Sequence, residues 1–202
     1  MPRSHHMQAR AVRTRIALVH AAAAEFDRHG YAGTSMLQVS KAAGTTTGAL
    51  TFHFGSKIEL ADAVQDLGRS AVRAVVDRVT AGAGPPLDLI VELTMHLARL
   101  LEDDIAVRST ARLMRERPDS RPGLSACWLP AVGELARHAH RAGQLRAGTS
   151  PAALASLVAH LLTGTEARTR TALEEARKPD AVEQLRQIWD ITLHGICADR
   201  EA

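Results

Sequence analysis

The sequence predicts an all-α protein, about nine helices in two functional parts. Three observations predict it. Aromatic residues make up only 3% of the 202 residues. No stretch alternates apolar and polar residues as a half-buried strand does. Ala, Leu, Arg, Glu and Gln dominate, and all of them favour helix. With 46% hydrophobic and 23% charged residues, the chain has ordinary globular composition, and its length suits one or two domains with a real core.

The elements follow in order. Ile16, Val19, Ala23 and Phe26 recur at spacings of three and four, which predicts a helix from Arg10 to His29. Gly30 stands where a helix ends. Tyr31 to Gly33 form a link, and Thr34 or Ser35 caps a second short helix running to about Ala43. Its apolar positions are Met36, Val39 and Ala43. Gly44 makes a tight turn into a third short helix, from about Thr46 to His53. Ser56-Lys57-Ile58-Glu59 fits a capping box and opens a fourth helix that extends to about Thr80.

Gly82-Ala83-Gly84-Pro85-Pro86 is a linker. Beyond it, helices are expected at Leu87 to Glu102, Ile105 to Glu116, Leu124 to Ala142, Pro151 to Ala176 and Asp180 to Ala198. Arg117 to Gly123, with Pro118 and Pro122, reads as a loop. Pro130 should kink the seventh helix or mark a late start. Ser150 before Pro151 gives a cap followed by proline at the first helical position. Asp180 with Glu183 is a looser capping box. These signals divide the chain into a helix-turn-helix domain at 8–57, a connecting helix at 58–80 and a C-terminal helical part at 81–202.

Charge is unevenly distributed. Met1 to Lys57 holds seven cations, Arg3, Arg10, Arg13, Arg15, Arg28, Lys41 and Lys57, against two acids, Glu25 and Asp27, a net of +5. The rest of the chain is −2. A basic head on a slightly acidic body implies an anionic partner at the head. No run reaches the length of a membrane span, and the first seven residues lack the apolar run of a secretory signal. Ser4-His5-His6-Met7 reads as a cloning remnant and is set aside. Cys127 and Cys197 are lone thiols that suit a reducing, cytoplasmic setting.

Several chemistries find no support. His138 and His140 fall on different faces of one helix, and His96, His160 and His194 are scattered, so no metal site is expected. No cofactor is expected either. No nucleophile elbow, phosphate loop or carboxylate pair stands out, so catalysis is not expected.

The informative stretch is Thr34 to Lys57. Two short helices joined at Gly44 form a helix-turn-helix, in which the first helix fixes the second and the second enters the DNA major groove. Leu50 and Phe54 are four apart and can both face the core. That leaves Thr45, Thr46, Thr47, Gly48, Thr51, Phe52 and His53 for the duplex, with Thr34, Ser35 and Lys57 beside them and Arg10 and Arg13 at the start of the first helix. Hydroxyls suit phosphates, bases and the thymine methyl, and Lys57 suits a phosphate.

The run Gly30-Tyr31, Thr34-Ser35, Ala43-Gly44 and Gly48-Ala49-Leu50-Thr51-Phe52-His53-Phe54-Gly55-Ser56-Lys57 resembles the DNA-binding domain of the TetR family of repressors. The Phe52-His53-Phe54 form is similar to its γ-butyrolactone receptor branch. The resemblance implies a homodimer on a pseudo-palindromic operator, released by a butyrolactone, butenolide or furan-type signal that controls antibiotic production. It also implies two departures. Thr51 stands where the family usually has Tyr, and Thr47 where the branch usually has Lys. Both remove polar reach, so weaker binding, a different operator or compensation by Arg10 and Arg13 is expected.

Trp128 lies in a segment similar to the ligand-pocket helix of these receptors. It reads as a pocket residue or as core. Thr163, Thr165 and Glu166 are candidate polar pocket groups, and Met95, Leu113 and Met114 candidate apolar lining. Trp189 reads as core or interface. Leu154, Leu157 and Leu161 on one helix, with Leu185, Ile188 and Ile196 on the next, form stripes that suit a four-helix dimer contact. The rival readings are a pseudo-receptor answering an antibiotic, an intermediate or no ligand, a small helical enzyme, and a protein-interaction module.

Overall fold

A computed structural model describes residues 2–117 and 122–197, without the side chains of residues 2–7 and 9. Among the described residues there are nine α-helices and one isolated β-bridge, Leu145 with Cys197. The helices are α1 (Pro2–Gly33), α2 (Met36–Ala42), α3 (Thr47–His53), α4 (Lys57–Thr80), α5 (Pro86–Asp103), α6 (Ile105–Glu116), α7 (Ser125–Arg141), α8 (Pro151–Glu174) and α9 (Ala181–Ile196). The all-α expectation therefore holds, with boundaries shifted by a residue or two at most ends. Pro118 of the expected loop and Ala198 of the last helix lie outside the described residues.

Capping explains where several helices start. Ser35, rather than Thr34, caps α2: its hydroxyl accepts from the Gln38 N–H, and the Gln38 side chain accepts from the Ser35 N–H. Thr46 caps α3 by accepting from the Ala49 N–H. Ser56 accepts from the Glu59 N–H, while Glu59 reaches back one residue further, to the Gly55 N–H. Ser150 caps α8 ahead of Pro151. The box expected at Asp180 does not form. Its carboxylate is engaged by Arg168 and Gln184, and the Val182 N–H of α9 donates instead to Glu102 of α5. α7 begins before Pro130 and runs on through it.

The chain divides into two compact units, 1–71 with 105–122, and 72–104 with 123–202. The sequence divides the chain after 57, where the fourth helix opens, and after 80, just before the linker. The observed division instead cuts α4 and assigns α6 to the first unit, because α6 packs on α1. In the first unit Leu18, Ala22, Ala23, Phe26, Val39, Leu50, Phe54, Leu60, Val64 and Leu113 form one core. Ile16 is not in it and is 52% exposed. Leu18 and Ala22 take that role, so the buried stripe of α1 is rotated from the one the spacing suggested. In the second unit Ile90, Leu93, Val132, Ala136, Val158, Leu185 and Trp189 are buried.

Candidate functional site

Leu50 and Phe54 are fully buried and hold α3 against the first unit's core, as their spacing predicts. Gly44, at φ 64°, makes the turn between α2 and α3. Ser40 joins the two helices. Its hydroxyl donates to Leu37 O, so the 3.2 Å contact with Thr47 Oγ1 has Thr47 as donor. At the other end, Arg15 of α1 donates to His53 O at 3.0 Å, and its guanidinium lies 4.2 Å over the Phe54 ring. A cation at the carbonyl end of a helix also suits the helix dipole.

The outward side of α3 carries Thr47, Gly48, Thr51 and Phe52, all exposed. Phe52 is 82% exposed, and the His53 ring meets it edge-on at 5.3 Å. Thr51 donates its hydroxyl to Gly48 O at 3.1 Å. Thr45 and His53 are half-buried beside this face. Arg10 and Arg13 are exposed on α1. Lys57 sits 4.4 Å over the Tyr31 ring, and Arg117 lies 4.8 Å from the same ring. From Arg28 to Ile58 the chain has three cations (Arg28, Lys41 and Lys57) and no acid.

Thr34 is a correction. It is 3% exposed, and its hydroxyl donates to the carbonyls of Gly30 and Glu25, so it braces the end of α1 and does not face out. Ser35 is exposed, but its hydroxyl both accepts from and donates to Gln38.

The C-terminal end of α1 is held by α6, which the sequence placed elsewhere. Arg108 makes two hydrogen bonds to Asp27 Oδ2, at 3.1 and 3.2 Å. Arg112 donates to the Asp27 and Arg28 carbonyls and pairs with Glu116, which accepts from the Tyr31 N–H. Arg117 pairs with Asp62 of α4.

The expected ligand residues separate. Trp128, Met95 and Thr165 are buried in the second unit, with the Thr165 hydroxyl donating to Leu161 O. Thr163 is exposed and its hydroxyl is bonded to Ala159 O, which removes it as an inward polar group. Met114 is half-buried and belongs to the first unit with α6. Sequence reasoning missed Thr169. It is 2% exposed, and its hydroxyl has no hydrogen-bond partner. The buried Trp189 Nε1 has none either. The signal for Thr169 was present, because Leu154, Val158, Leu162, Thr165, Thr169 and Ala172 are one buried helical stripe.

The dimer stripe also needs correction. Leu154 and Leu185 are each 2% exposed within their own unit, so they serve its core. Leu157, Leu161 and Ile196 are half-buried, Ile188 is exposed, and Ile191, which the stripe did not include, is 75% exposed.

Among the described residues no group of three His, Cys, Asp or Glu is placed to hold a metal, and no helix is long and apolar enough to cross a membrane.

Comparison with known proteins gives this geometry a context. Residues 18–64 match the family described as bacterial regulatory proteins, tetR family. The A-factor receptor protein of Streptomyces griseus is 27% identical over 190 residues, which span 94% of this chain and 66% of that receptor, just under two thirds of its length. A solved γ-butyrolactone receptor, ArpA-like, is 25% identical with a TM-score of 0.76, covering 95% of this chain and 91% of its own. The TetR family protein CprB of Streptomyces coelicolor, solved in complex with its biological operator sequence, is 27% identical with a TM-score of 0.70, covering 94% and 91%. The chain thus carries a stretch at 18–64 that matches the TetR-family model, and along more than nine-tenths of its length it is similar to γ-butyrolactone receptors.

Proposed function

We propose that this protein is a homodimeric transcriptional repressor that binds a pseudo-palindromic DNA operator through α3 and leaves it on binding a small signalling molecule of butyrolactone, butenolide or furan type. The observation that carries the DNA half is α3 itself. It is a short helix anchored by Leu50 and Phe54, presented outward at Thr47, Gly48, Thr51 and Phe52, in a stretch with cations and no acids. Phosphate contacts fall to Arg10, Arg13, Lys41 and Lys57, and groove contacts to α3. Two heads bridging half-sites about 34 Å apart multiply the affinity of one.

The ligand half rests on the second unit. Trp128 supplies an aromatic face, and the buried Thr169 hydroxyl and Trp189 N–H are donors without acceptors. Buried donors need partners, and a small molecule rich in carbonyl and hydroxyl oxygens would provide them. Release requires the ligand to bind one conformational state better than the other. The continuous α4, which carries the chain from the first unit into the second, is the proposed lever.

The test has two stages. Duplexes selected from a random library should bind with a steep salt dependence, and Thr47→Ala with His53→Ala should weaken that binding. Unchanged affinity in the double variant would sink the DNA assignment. Titrating a butyrolactone, a butenolide and a furan into the complex should then release the duplex. Release by an antibiotic or its precursor alone, or by nothing, would favour the pseudo-receptor reading.

A further inference from the structure

The recognition helix lacks every side chain that reads bases by paired hydrogen bonds. From Thr47 to His53 it has no Arg, Lys, Asn, Gln, Asp or Glu. Guanine is ordinarily read in the major groove by Arg or Lys, adenine by Asn or Gln, and the cytosine amino group by Asp or Glu. None of these is on α3. Two of its hydroxyl hydrogens are engaged, with Thr47 donating to Ser40 Oγ and Thr51 to Gly48 O, while Thr46 accepts from the Ala49 N–H. The most exposed group on this face is the Phe52 ring, with Thr47, Gly48 and Thr51 exposed beside it.

An apolar ring 82% exposed, in a segment with three cations and no acid, has one complementary feature in the major groove. That feature is the thymine C5-methyl, the apolar group that a base pair presents there. We propose that α3 selects its operator chiefly by apolar contact with thymine methyl groups, with Phe52 as the specificity-determining residue and Thr47 and Thr51 beside it. The inference rests on the DNA-binding reading above and deepens it. Cations elsewhere on the head hold the backbone, and α3 adds discrimination by shape and burial instead of charge. Its half-site therefore carries thymines on the strand positions that face Phe52, and guanines are not selected by this helix.

The experiment exchanges one methyl group. Duplexes are selected from a random library with the full-length protein. In the selected half-site each thymine is replaced singly by deoxyuridine, which keeps every hydrogen-bonding group and removes only the C5-methyl. Affinities are measured at fixed salt for wild type, Phe52→Ala, Thr47→Ser and Thr51→Ser. Phe52 is solvent-exposed, so its truncation leaves the fold intact, and the serine variants keep their hydroxyls. At one or two positions uridine should weaken wild-type binding about fourfold, the factor expected for one buried methyl. Phe52→Ala should bind the thymine and uridine duplexes alike at one of those positions. Indifference of the wild type to every thymine-to-uridine exchange overturns the proposal, as does an undiminished methyl effect in Phe52→Ala. Failure to enrich any duplex would instead defeat the DNA-binding reading beneath it.

Discussion

The guanidinium of Arg15 lies 4.2 Å above the ring of Phe54 and donates at 3.0 Å to the carbonyl of the residue before it, His53. Arg15 thus closes the carbonyl end of α3 from a neighbouring helix. Phe54 anchors the ring beneath, and the charge offsets the helix dipole. Arg15→Ala should lower unfolding stability by about 1–2 kcal/mol, from the cation–π contact and the hydrogen bond together. Arg15→Lys should recover only part of this, since an ammonium lacks the planar fork that stacks and donates at once. Arg13→Ala provides the contrast in duplex binding. Losing a phosphate contact should lower the salt slope by about one unit. Arg15→Ala should weaken binding by loosening α3 and leave that slope unchanged. Urea unfolding and salt titrations of the same variants check both statements.

The two glycines flanking α2 should differ sharply in tolerance. Gly44 has φ 64°, and a Cβ built there meets nothing within 4 Å. Gly44→Ala should therefore cost only the backbone term, about 1–2 kcal/mol. Gly30 has φ 72° and ψ 178°, a region essentially reserved for glycine. A Cβ there would lie 2.5 Å from Glu116 Oε1 and 2.7 Å from Arg112 Nη2. Those side chains cannot retreat without releasing the Tyr31 N–H and the Asp27 and Arg28 carbonyls. Gly30→Ala should cost at least twice as much as Gly44→Ala in urea unfolding, and equal costs would refute the clamp.

Local chemistry made most of the fold legible. The cap at Ser150, the glycine at 44 and the pair Leu50 and Phe54 act within a few residues, so spacing alone locates them, and it narrows the α2 cap to Thr34 or Ser35. What spacing cannot give is the neighbour across the fold. Thr34 looks identical to an exposed threonine in sequence, yet two carbonyls of α1, those of Glu25 and Gly30, capture its hydroxyl. Asp180 has capping-box spacing, but Arg168 from α8 takes its carboxylate. α6 follows the linker in the chain, yet Arg108 and Arg112 tie it to the end of α1. The stripe of α1 was misaligned for the same reason. Ile16 and Leu18 are equally apolar, and only the position of the partner helices makes Leu18 the buried one.

Thr169 is an exception among its kind. Thr94, Thr165 and Thr192 each donate to the carbonyl four residues back in their helices, and so do Thr14, Thr80 and Thr163. The buried Thr169 hydroxyl does not. An unsatisfied buried polar group costs about 1–3 kcal/mol, and replacing it with an apolar group of the same shape removes that cost. Thr169→Val should therefore raise the urea midpoint of the unliganded protein, or at the least leave it unmoved. The same change should weaken release of the duplex by the signalling molecule, because the hydroxyl would no longer serve it. A clear loss of stability would show that the hydroxyl is satisfied in solution and carries no ligand role.

The dimer contact proposed for the exposed face of α9 can be tested apart from folding. Ile191 is 75% exposed and Ile188 is 42% exposed, three residues apart and so on one side of the helix. Leu185 is 2% exposed and belongs to the core of its own unit. Ile191→Glu should leave helical content and unfolding temperature close to wild type, while sedimentation shifts from dimer to monomer. Leu185→Glu should unfold the second unit outright, since a carboxylate without a partner cannot be buried there. The monomeric Ile191→Glu protein keeps an unaltered α3, so it should still prefer its half-site over random duplex. Its affinity for the full operator should nevertheless fall by about a hundredfold or more, because the second head no longer binds as part of the same molecule. A dimer that survives Ile191→Glu, with operator affinity unchanged, would move the interface away from this face of α9.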